Sequence, residues 1–163
     1  ALLIRPRSSG HDMALKSIQA AAASIKANVN IVPVEAGNPQ EIETAFSTMV
    51  REKADAVIVV QSPLFLQQRN QIAELAAMHR LLSVASYREY AEAGCLMSYG
   101  INLFESWRRC ATFVHRILRG EKPGDLPVEF PTRVDLIINL RTAKALGLNI
   151  PTPIIGRADE VIE

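Results

Sequence analysis

The sequence predicts an α/β protein with a doubly wound parallel sheet of Rossmann-like type. Short apolar or β-branched runs alternate with amphipathic helical segments about four times, and short connections join them. Residues 54–60 include a continuous Ala-Val-Ile-Val-Val run, which is typical of a strand buried on both faces of a parallel sheet. Hydrophobic residues make up 48% of the chain but aromatic residues only 6%, which favours helices packed on a sheet over an all-β sandwich.

The elements of the first hundred residues follow one another in a regular order. Strands are predicted, by number, at 1–4, 29–34, 54–60, 81–85 and 95–99. Helices are predicted at 12–27, from Asn38-Pro39-Gln40-Glu41, and from Gln61-Ser62-Pro63. Ser86-Tyr87-Arg88-Glu89 repeats the capping-box pattern of a helix start, and Gly94 would end that short helix. Strand and helix alternating in this way imply right-handed crossovers and one parallel sheet.

The regular alternation of predicted strands and helices ends after Gly100. A longer helix is predicted over 102–119, followed by a turn-rich linker at 120–125. Two short strands at 127–130 and 134–138 would form a hairpin-like pair, and a helix at 140–146 would end at Gly147. We therefore expect two units: a Rossmann-like lobe over 1–100 and a C-terminal segment over 101–163 that packs elsewhere.

Composition and motifs exclude several classes of function. The 163 residues carry a formal net charge of +1, and no apolar run approaches the roughly 18–20 residues of a membrane span. Cys95 and Cys110 are spaced for neither a metal nor a redox motif, so both are expected to be small buried residues. The sequence also lacks the GxGxxG and GxxxxGK[ST] phosphate loops and the GxSxG nucleophile elbow. We expect no cofactor, no metal and no catalysis.

The remaining reactive or charged residues favour structural roles. His11-Asp12 beside Ser8-Ser9 is the one local cluster that resembles a catalytic set, and loop and capping duty is the favoured interpretation. His79 falls on the apolar stripe of its helix. The basic stretch is interpreted as a solvated helix face rather than a nucleic-acid surface; it comprises Arg108, Arg109, Arg116, Arg119 and Lys122.

Candidate binding residues lie in the loops that follow the strands. In an open parallel sheet, ligands bind in the crevice outside the carboxyl ends of the strands. The loops there are rich in hydroxyl and amide groups, and several lead directly into a helix. The residues expected to bind a small polar ligand are Ser8, Ser9, Gln61, Ser62, Ser86, Tyr87, Ser98, Tyr99 and Gly100.

Several stretches resemble substrate-binding proteins of ABC transporters of the tryptophan/tyrosine-uptake type. They are Ala54-Asp55-Ala56-Val57-Ile58-Val59-Val60, Ser62-Pro63-Leu64-Phe65, Ile72-Ala73-Glu74-Leu75-Ala76-Ala77, Tyr87-Arg88-Glu89-Tyr90, Glu92-Ala93-Gly94-Cys95-Leu96-Met97-Ser98-Tyr99-Gly100, Arg116-Ile117-Leu118-Arg119-Gly120-Glu121-Lys122-Pro123-Gly124-Asp125, Leu136-Ile137-Ile138-Asn139-Leu140-Arg141-Thr142-Ala143 and Arg157-Ala158-Asp159-Glu160-Val161-Ile162-Glu163. The resemblance covers nearly the whole chain and is weakest in the first 50 residues.

The resemblance implies one lobe of a type I periplasmic-binding-protein fold, whose ligand lies in a cleft between two Rossmann-like lobes. The chain would be the second lobe plus a segment that crosses back to the first lobe, with the first lobe and the secretion signal missing. The candidate residues would then line the cleft, with Tyr87 or Tyr99 as a lid or stacking face. Relatives often carry Gly at Cys95, Pro at Ile101 and Pro near Leu82-Ser83, so the ligand's identity does not carry over.

Three functional hypotheses remain at this point. The favoured one is the solute-binding component of an ABC importer, in the periplasm or at the cell surface, which binds an amino acid or aromatic acid and delivers it to a membrane permease. The alternatives are the effector-sensing domain of a transcription regulator and a Rossmann-like enzyme. With the first lobe absent, 102–119 and 127–138 would expose apolar surface, and the chain is expected to self-associate through this C-terminal segment.

Overall fold

The computed structural model describes residues 1–6, 11–25, 29–131 and 133–163, with side chains for all of these except residues 11 and 12. Within these ranges seven strands form one sheet in the order β2-β1-β3-β4-β5-β6-β7. The strands are β1 Leu2–Ile4, β2 Pro33–Glu35, β3 Ala56–Val59, β4 Leu82–Ala85, β5 Met97–Ile101, β6 Val134–Asn139 and β7 Glu160–Ile162. Neighbouring strands are parallel except β5 and β6, which are antiparallel. The predicted doubly wound α/β fold is confirmed.

Helices cover both faces of the sheet. They are α1 His11–Ser24, α2 Pro39–Arg51, α3 Pro63–Gln67, α4 Arg69–Met78, α5 Arg88–Glu92, α6 Leu103–Leu118, α7 Leu140–Leu146 and α8 Thr152–Ile155, with a 3₁₀ turn at Pro123–Asp125. The strand order reverses between β1 and β3, so right-handed crossovers place α1 on one face and α2 on the other. Helix α4 contacts both α2 and α5, and the three helices form one covering layer.

The core lies between the sheet and the α2–α4–α5 layer. The buried hydrophobic side chains there come from three strands and four helices: Leu3, Val57, Val59, Ala85, Ile42, Phe46, Met49, Phe65, Ile72 and Tyr90. The ring of His79, which follows α4, stacks on Phe46 with 6.5 Å between ring centroids. This contact confirms the structural interpretation of His79.

Local sequence signals set several helix ends as predicted. The Asn38 side chain accepts a hydrogen bond of 2.9 Å from the Glu41 N–H, and the Glu41 carboxylate accepts one of 2.7 Å from the Gly37 N–H. Gly147 ends α7 in the left-handed conformation at φ 74°, which a glycine adopts without steric cost. At β4–α5, however, the N-cap is Tyr87 rather than Ser86, and no described side chain caps that helix.

The C-terminal third differs from the prediction in its pairing. Strand β6 pairs with β5, from Met97↔Ile138 to Ile101↔Val134, and not with 127–130. Residues 127–130 form no strand and are exposed; Pro127 begins the segment and Pro131 follows it, and proline lacks the N–H that strand pairing needs. Strand β7, which was not predicted, pairs with β6. The sheet therefore continues through β6 and β7, and residues 102–133 connect β5 to β6.

Other boundaries moved by a few residues. Strand β2 is shorter and later than the predicted 29–34, and β5 begins two residues after the predicted start. The segment expected to form one helix after Pro63 is two, α3 and α4, which meet at Gln68. None of the helices in the described ranges is long and apolar enough to cross a membrane.

Candidate functional site

The carboxyl ends of the parallel strands meet at one edge of the sheet. The order reverses between β1 and β3, and ligands of such sheets bind outside the strand ends at this reversal. Candidate residues 61–62 and 86–87 follow the ends of β3 and β4, and 98–100 lie within β5, where Ser98 pairs with Ala85 at the end of β4. The three strands are neighbours in the sheet and lie about 5 Å apart, so the three groups span about 10 Å, comparable with a small solute. Ser8 and Ser9 follow β1 and lie outside the described residues.

Three serine hydroxyls at these strand ends have no hydrogen-bond partner among the described residues. They belong to Ser62, Ser86 and Ser98, and all three oxygens are buried. Ser62 is the N-cap residue of α3, yet its hydroxyl accepts from none of the described N–H groups. Ser62 is 5% exposed and Ser98 1% exposed. A buried polar group left unpaired costs about 1–3 kcal/mol, so a ligand that bonds these hydroxyls recovers that free energy.

Gly100 brings the ends of β4 and β5 into close contact. A Cβ atom at this position would lie 1.8 Å from the Ser86 carbonyl oxygen and 2.7 Å from its carbon. A side chain of any size is therefore excluded while the two segments keep this spacing. Because Gly100 has no side chain, the backbone of Ser86 can lie against the end of β5. No local pattern in the sequence indicated this contact.

The two candidate tyrosines differ in accessibility. Tyr87 is 7% exposed and belongs to the core cluster, where burial first and the Glu89 carboxylate second raise the pKa of its phenol. Such packing does not suit a lid. Tyr99 is 62% exposed on β5, and Gln61 is also exposed. Of the two tyrosines, Tyr99 is the one whose side chain is exposed.

Sequence analysis missed a second polar cluster, beside the end of β5. The Asn102 amide donates a 3.0 Å hydrogen bond to Asp135 on β6, and Arg133 donates one of 2.7 Å to the same carboxylate. These bonds hold the pKa of Asp135 below its usual value, the Asn102 bond being the larger cause. Asn102 was predicted as a helix start, but nothing in the sequence connects it with a residue 33 positions later.

A cavity lies beside this cluster, lined by α6 and by residues 129–131 and 133. It has a volume of about 720 Å³, and its walls include Asn102, Cys110, Phe113, Phe130 and Arg133. An ion pair between Arg109 and Glu129 crosses it. Cys110 is exposed there, so the expectation of burial is right for Cys95 and wrong for Cys110. Within the described ranges no group of His, Cys, Asp and Glu is placed to hold a metal ion.

Comparison with known proteins identifies the family. The family described as "ABC transporter substrate binding protein" matches residues 6–162, nearly the whole chain. The chain belongs to the ABC transporter substrate-binding protein family. One curated relative is a "Tyrosine-binding protein" of Clostridioides difficile. It is 25% identical to this chain over 123 residues, which are 76% of this chain but 35% of that protein.

Solved structures share the fold of this substrate-binding family member. A conserved domain protein of Vibrio cholerae superposes with a TM-score of 0.86 at 22% identity, over 98% of this chain and 53% of that one. A streptococcal ABC domain in complex with L-Trp superposes with a TM-score of 0.85 at 21% identity, over 99% of this chain and 55% of that one. A ligand-free, open substrate-binding protein with adhesive properties from Clostridium difficile superposes with a TM-score of 0.67 at 21% identity, over 99% of this chain and 53% of that one. The chain thus spans about half the length of these structures.

Proposed function

We propose that this chain is one lobe of the solute-binding component of an ABC importer. Its ligand would be a small polar solute, an amino acid or a small aromatic acid. The observation that carries the proposal is the set of buried, unpartnered hydroxyls of Ser62, Ser86 and Ser98 at the strand ends where sheets of this kind bind ligands. Family membership supports it, as do relatives named for tyrosine binding and for a complex with L-Trp.

The site would bind its solute through neutral groups. Hydroxyls donate to a carboxylate or accept from an amine, and the exposed Tyr99 ring offers a face for an apolar or aromatic part of the solute. The full proposed set remains Ser8, Ser9, Gln61, Ser62, Ser86, Tyr87, Ser98, Tyr99 and Gly100, with Tyr87 supporting the site from the core and Gly100 setting its spacing. These groups bind and orient a solute, and the proposal includes no chemical step.

A second lobe would complete the cleft, and residues 102–133 would contact it. We name these residues the arm. None of the sixteen residues of α6 is buried, and one side of it carries large apolar groups. They are Phe104, Trp107, Val114 and Leu118, which with the small Ala111 alternate in steps of three and four residues, the spacing of a helix-packing seam. The solved relatives are about twice as long as this chain, which leaves room for a companion lobe against this side.

The proposed partner is a membrane permease, and the proposed location is the periplasm or the cell surface. Both follow from the transport role of the family. In the absence of a companion lobe, the apolar side of α6 would bring two copies of the chain together. Self-association of the isolated chain is thus a consequence of the proposed lobe arrangement.

A ligand screen by thermal unfolding and calorimetry tests the proposal. The panel comprises L-Trp, L-Tyr, L-Phe, small aromatic acids, nucleosides and sugars, added to this chain and to a two-lobe protein with the companion lobe joined. A ligand at about 100 times its Kd adds about 2.7 kcal/mol, which raises the midpoint of the two-lobe protein by several degrees. No shift with any amino acid or aromatic acid in the two-lobe protein would overturn the proposal.

Serine variants test the site itself. Ser62→Ala and Ser86→Ala each remove one hydrogen bond worth about 0.5–1.5 kcal/mol, so each weakens binding by about twofold to about twelvefold. Ser47→Ala is the matched control, because Ser47 is exposed on α2 and its hydroxyl bonds only the Glu43 carbonyl among the described residues. Unchanged affinity in both site variants would move the ligand away from these strand ends.

A further inference from the structure

The arm leaves and re-enters the sheet at adjacent points. Strand β5 leads into the arm at Ile101, and β6 begins where the arm returns at Val134, directly opposite Ile101 in the antiparallel register. Beyond this pair, Leu103 in the first turn of α6 packs against the core, and none of the α6 residues is fully buried. The direction of the arm therefore depends on what holds its two ends together at this crossing.

One asparagine joins the two ends. The Asn102 carbonyl oxygen of the side chain accepts from the Glu105 N–H at 3.1 Å and so caps α6. Its amide group donates at 3.0 Å to Asp135, the second residue of β6. The first turn of the arm helix and the returning strand are thus fixed to the same side chain.

The carboxylate of Asp135 is held from its other side as well. Arg133 donates to it at 2.7 Å and also lies 3.6 Å from Asp159, whose carboxylate accepts from the Leu136 N–H at 2.9 Å. Asp135 is 9% exposed, while the Arg133 side chain is 73% exposed. The Asn102 bond is therefore the sheltered one, and charge-assisted bonds of this kind are stronger than neutral ones.

We propose that the Asn102–Asp135 hydrogen bond is a positioning clasp that sets the direction in which the arm leaves the sheet. The clasp acts on the arm whether or not a solute binds. The consequence of this clasp for transport rests on the proposed function. If a companion lobe packs on the arm, the direction of the arm sets the angle between the two lobes. Asn102 would then be a positioning residue for cleft closure, acting through Asp135 and not through the solute.

Two substitutions separate the clasp from the helix cap. Asn102→Asp and Asn102→Ser both keep an oxygen that caps α6, because Asp and Ser are favoured N-cap residues. Asn102→Ser removes the amide donor and is too short to reach Asp135. Asn102→Asp replaces the donor with a second carboxylate facing Asp135. Asn38→Ser, at the cap of α2, is the control for a cap residue remote from the crossing.

The distance between arm and lobe is the measurement. Cys110 is exposed on α6 and takes a spin label, whereas Cys95 is buried and does not. A second label goes on Ser47→Cys of α2, and double electron–electron resonance is recorded in an excess of unlabelled protein. The parent and Asn38→Ser should give one narrow distance distribution. Asn102→Ser should broaden it, and Asn102→Asp should broaden and shift it, with helix content unchanged by circular dichroism.

Acid should restore the clasp in one variant only. Two facing carboxylates raise the pKa of one of them, so protonation in acid returns a donor to the pair in Asn102→Asp. The charged groups around this pair are Arg133, Arg88 and Asp159, with Glu160 and Glu92 bound to Arg88. The distribution of Asn102→Asp should narrow towards the parent between about pH 7 and about pH 5, and that of Asn102→Ser should stay broad.

Two outcomes would overturn the clasp. One is a parent-like distribution in both Asn102 variants at about pH 7. The other is equal broadening in both variants with no recovery of Asn102→Asp in acid, which would point to a weakened helix rather than a lost bond. No solute enters this experiment, so its failure leaves the proposed ligand site untouched, and a failed ligand screen leaves the clasp untouched.

Discussion

Replacing Gly100 with alanine should destabilise the fold and disturb the proposed site together. The added Cβ would lie 1.8 Å from the Ser86 carbonyl oxygen, 2.7 Å from its carbon and 3.0 Å from its Cα. All three atoms belong to the backbone, so no side-chain rotation relieves the overlap. Contacts of a Cβ below 3.0 Å are essentially never found, so the ends of β4 and β5 must separate by about 1 Å or more.

The size of the effect follows from this separation. Overpacking that forces backbone shifts costs about 1–3 kcal/mol, and a clash with backbone alone falls in the upper half of that range. A loss of about 2 kcal/mol lowers the melting temperature by about 4–8 °C for a domain of this size. The same shift moves Ser86 away from Ser98, so the two-lobe protein should also lose affinity for its solute.

Urea and thermal unfolding followed by far-UV circular dichroism measure this loss. The matched control is Gly124→Ala in the 3₁₀ turn, where no described atom lies within 4 Å of the added Cβ. That variant should stay within about 0.5 kcal/mol of the parent. A Gly100→Ala protein equally close to the parent would refute the reasoning, because the two strand ends would then have to separate without cost.

Three further predictions concern the thiols, the exposed helix and alkaline pH. In the native protein a thiol reagent should modify Cys110 alone, because Cys95 is buried and burial raises the pKa of its thiol to about 11. Both cysteines should react after unfolding. Reaction of both thiols in the native protein would contradict this prediction. Sedimentation of the isolated chain should show concentration-dependent self-association that Trp107→Glu or Val114→Glu reduces, and a monomer at high concentration would refute it. Burial also raises the pKa of the Tyr90 phenol in the folded protein above the ordinary tyrosine value of 10.0. The neutral phenol therefore contributes its full stability below pH 10.0, and this contribution is lost as the pH rises through the folded-state pKa. Denaturant unfolding at increasing alkaline pH should show the free energy of unfolding decline, and Tyr90→Phe should lessen that decline.

Some elements of this fold could be predicted because their causes are local. The Asn38 cap, its bond with Glu41 and the glycine end at Gly147 each involve residues within a few positions of one another. The apolar run at 54–60 correctly predicts the strand at Ala56–Val59, but burial on both faces was wrong: Val57 and Val59 are buried, whereas Ile58 on the opposite face is 37% exposed. Ser86 shows the limit of such patterns: Ser86 and Glu89 match a capping box, yet the helix begins one residue later and the Ser86 hydroxyl has no described partner.

The sequence by itself determined the alternation of strands and helices, the parallel sheet and the edge where candidate residues gather, because periodicity and turn chemistry act over short distances. Only the tertiary structure decided that β6 pairs with β5 instead of with 127–130, that Gly100 lies against Ser86, and that Asn102 binds Asp135. These contacts join residues 14 to 41 positions apart in the chain. Such pairs are chosen by which surfaces the packed sheet brings together, and a single sequence carries no local mark of that choice.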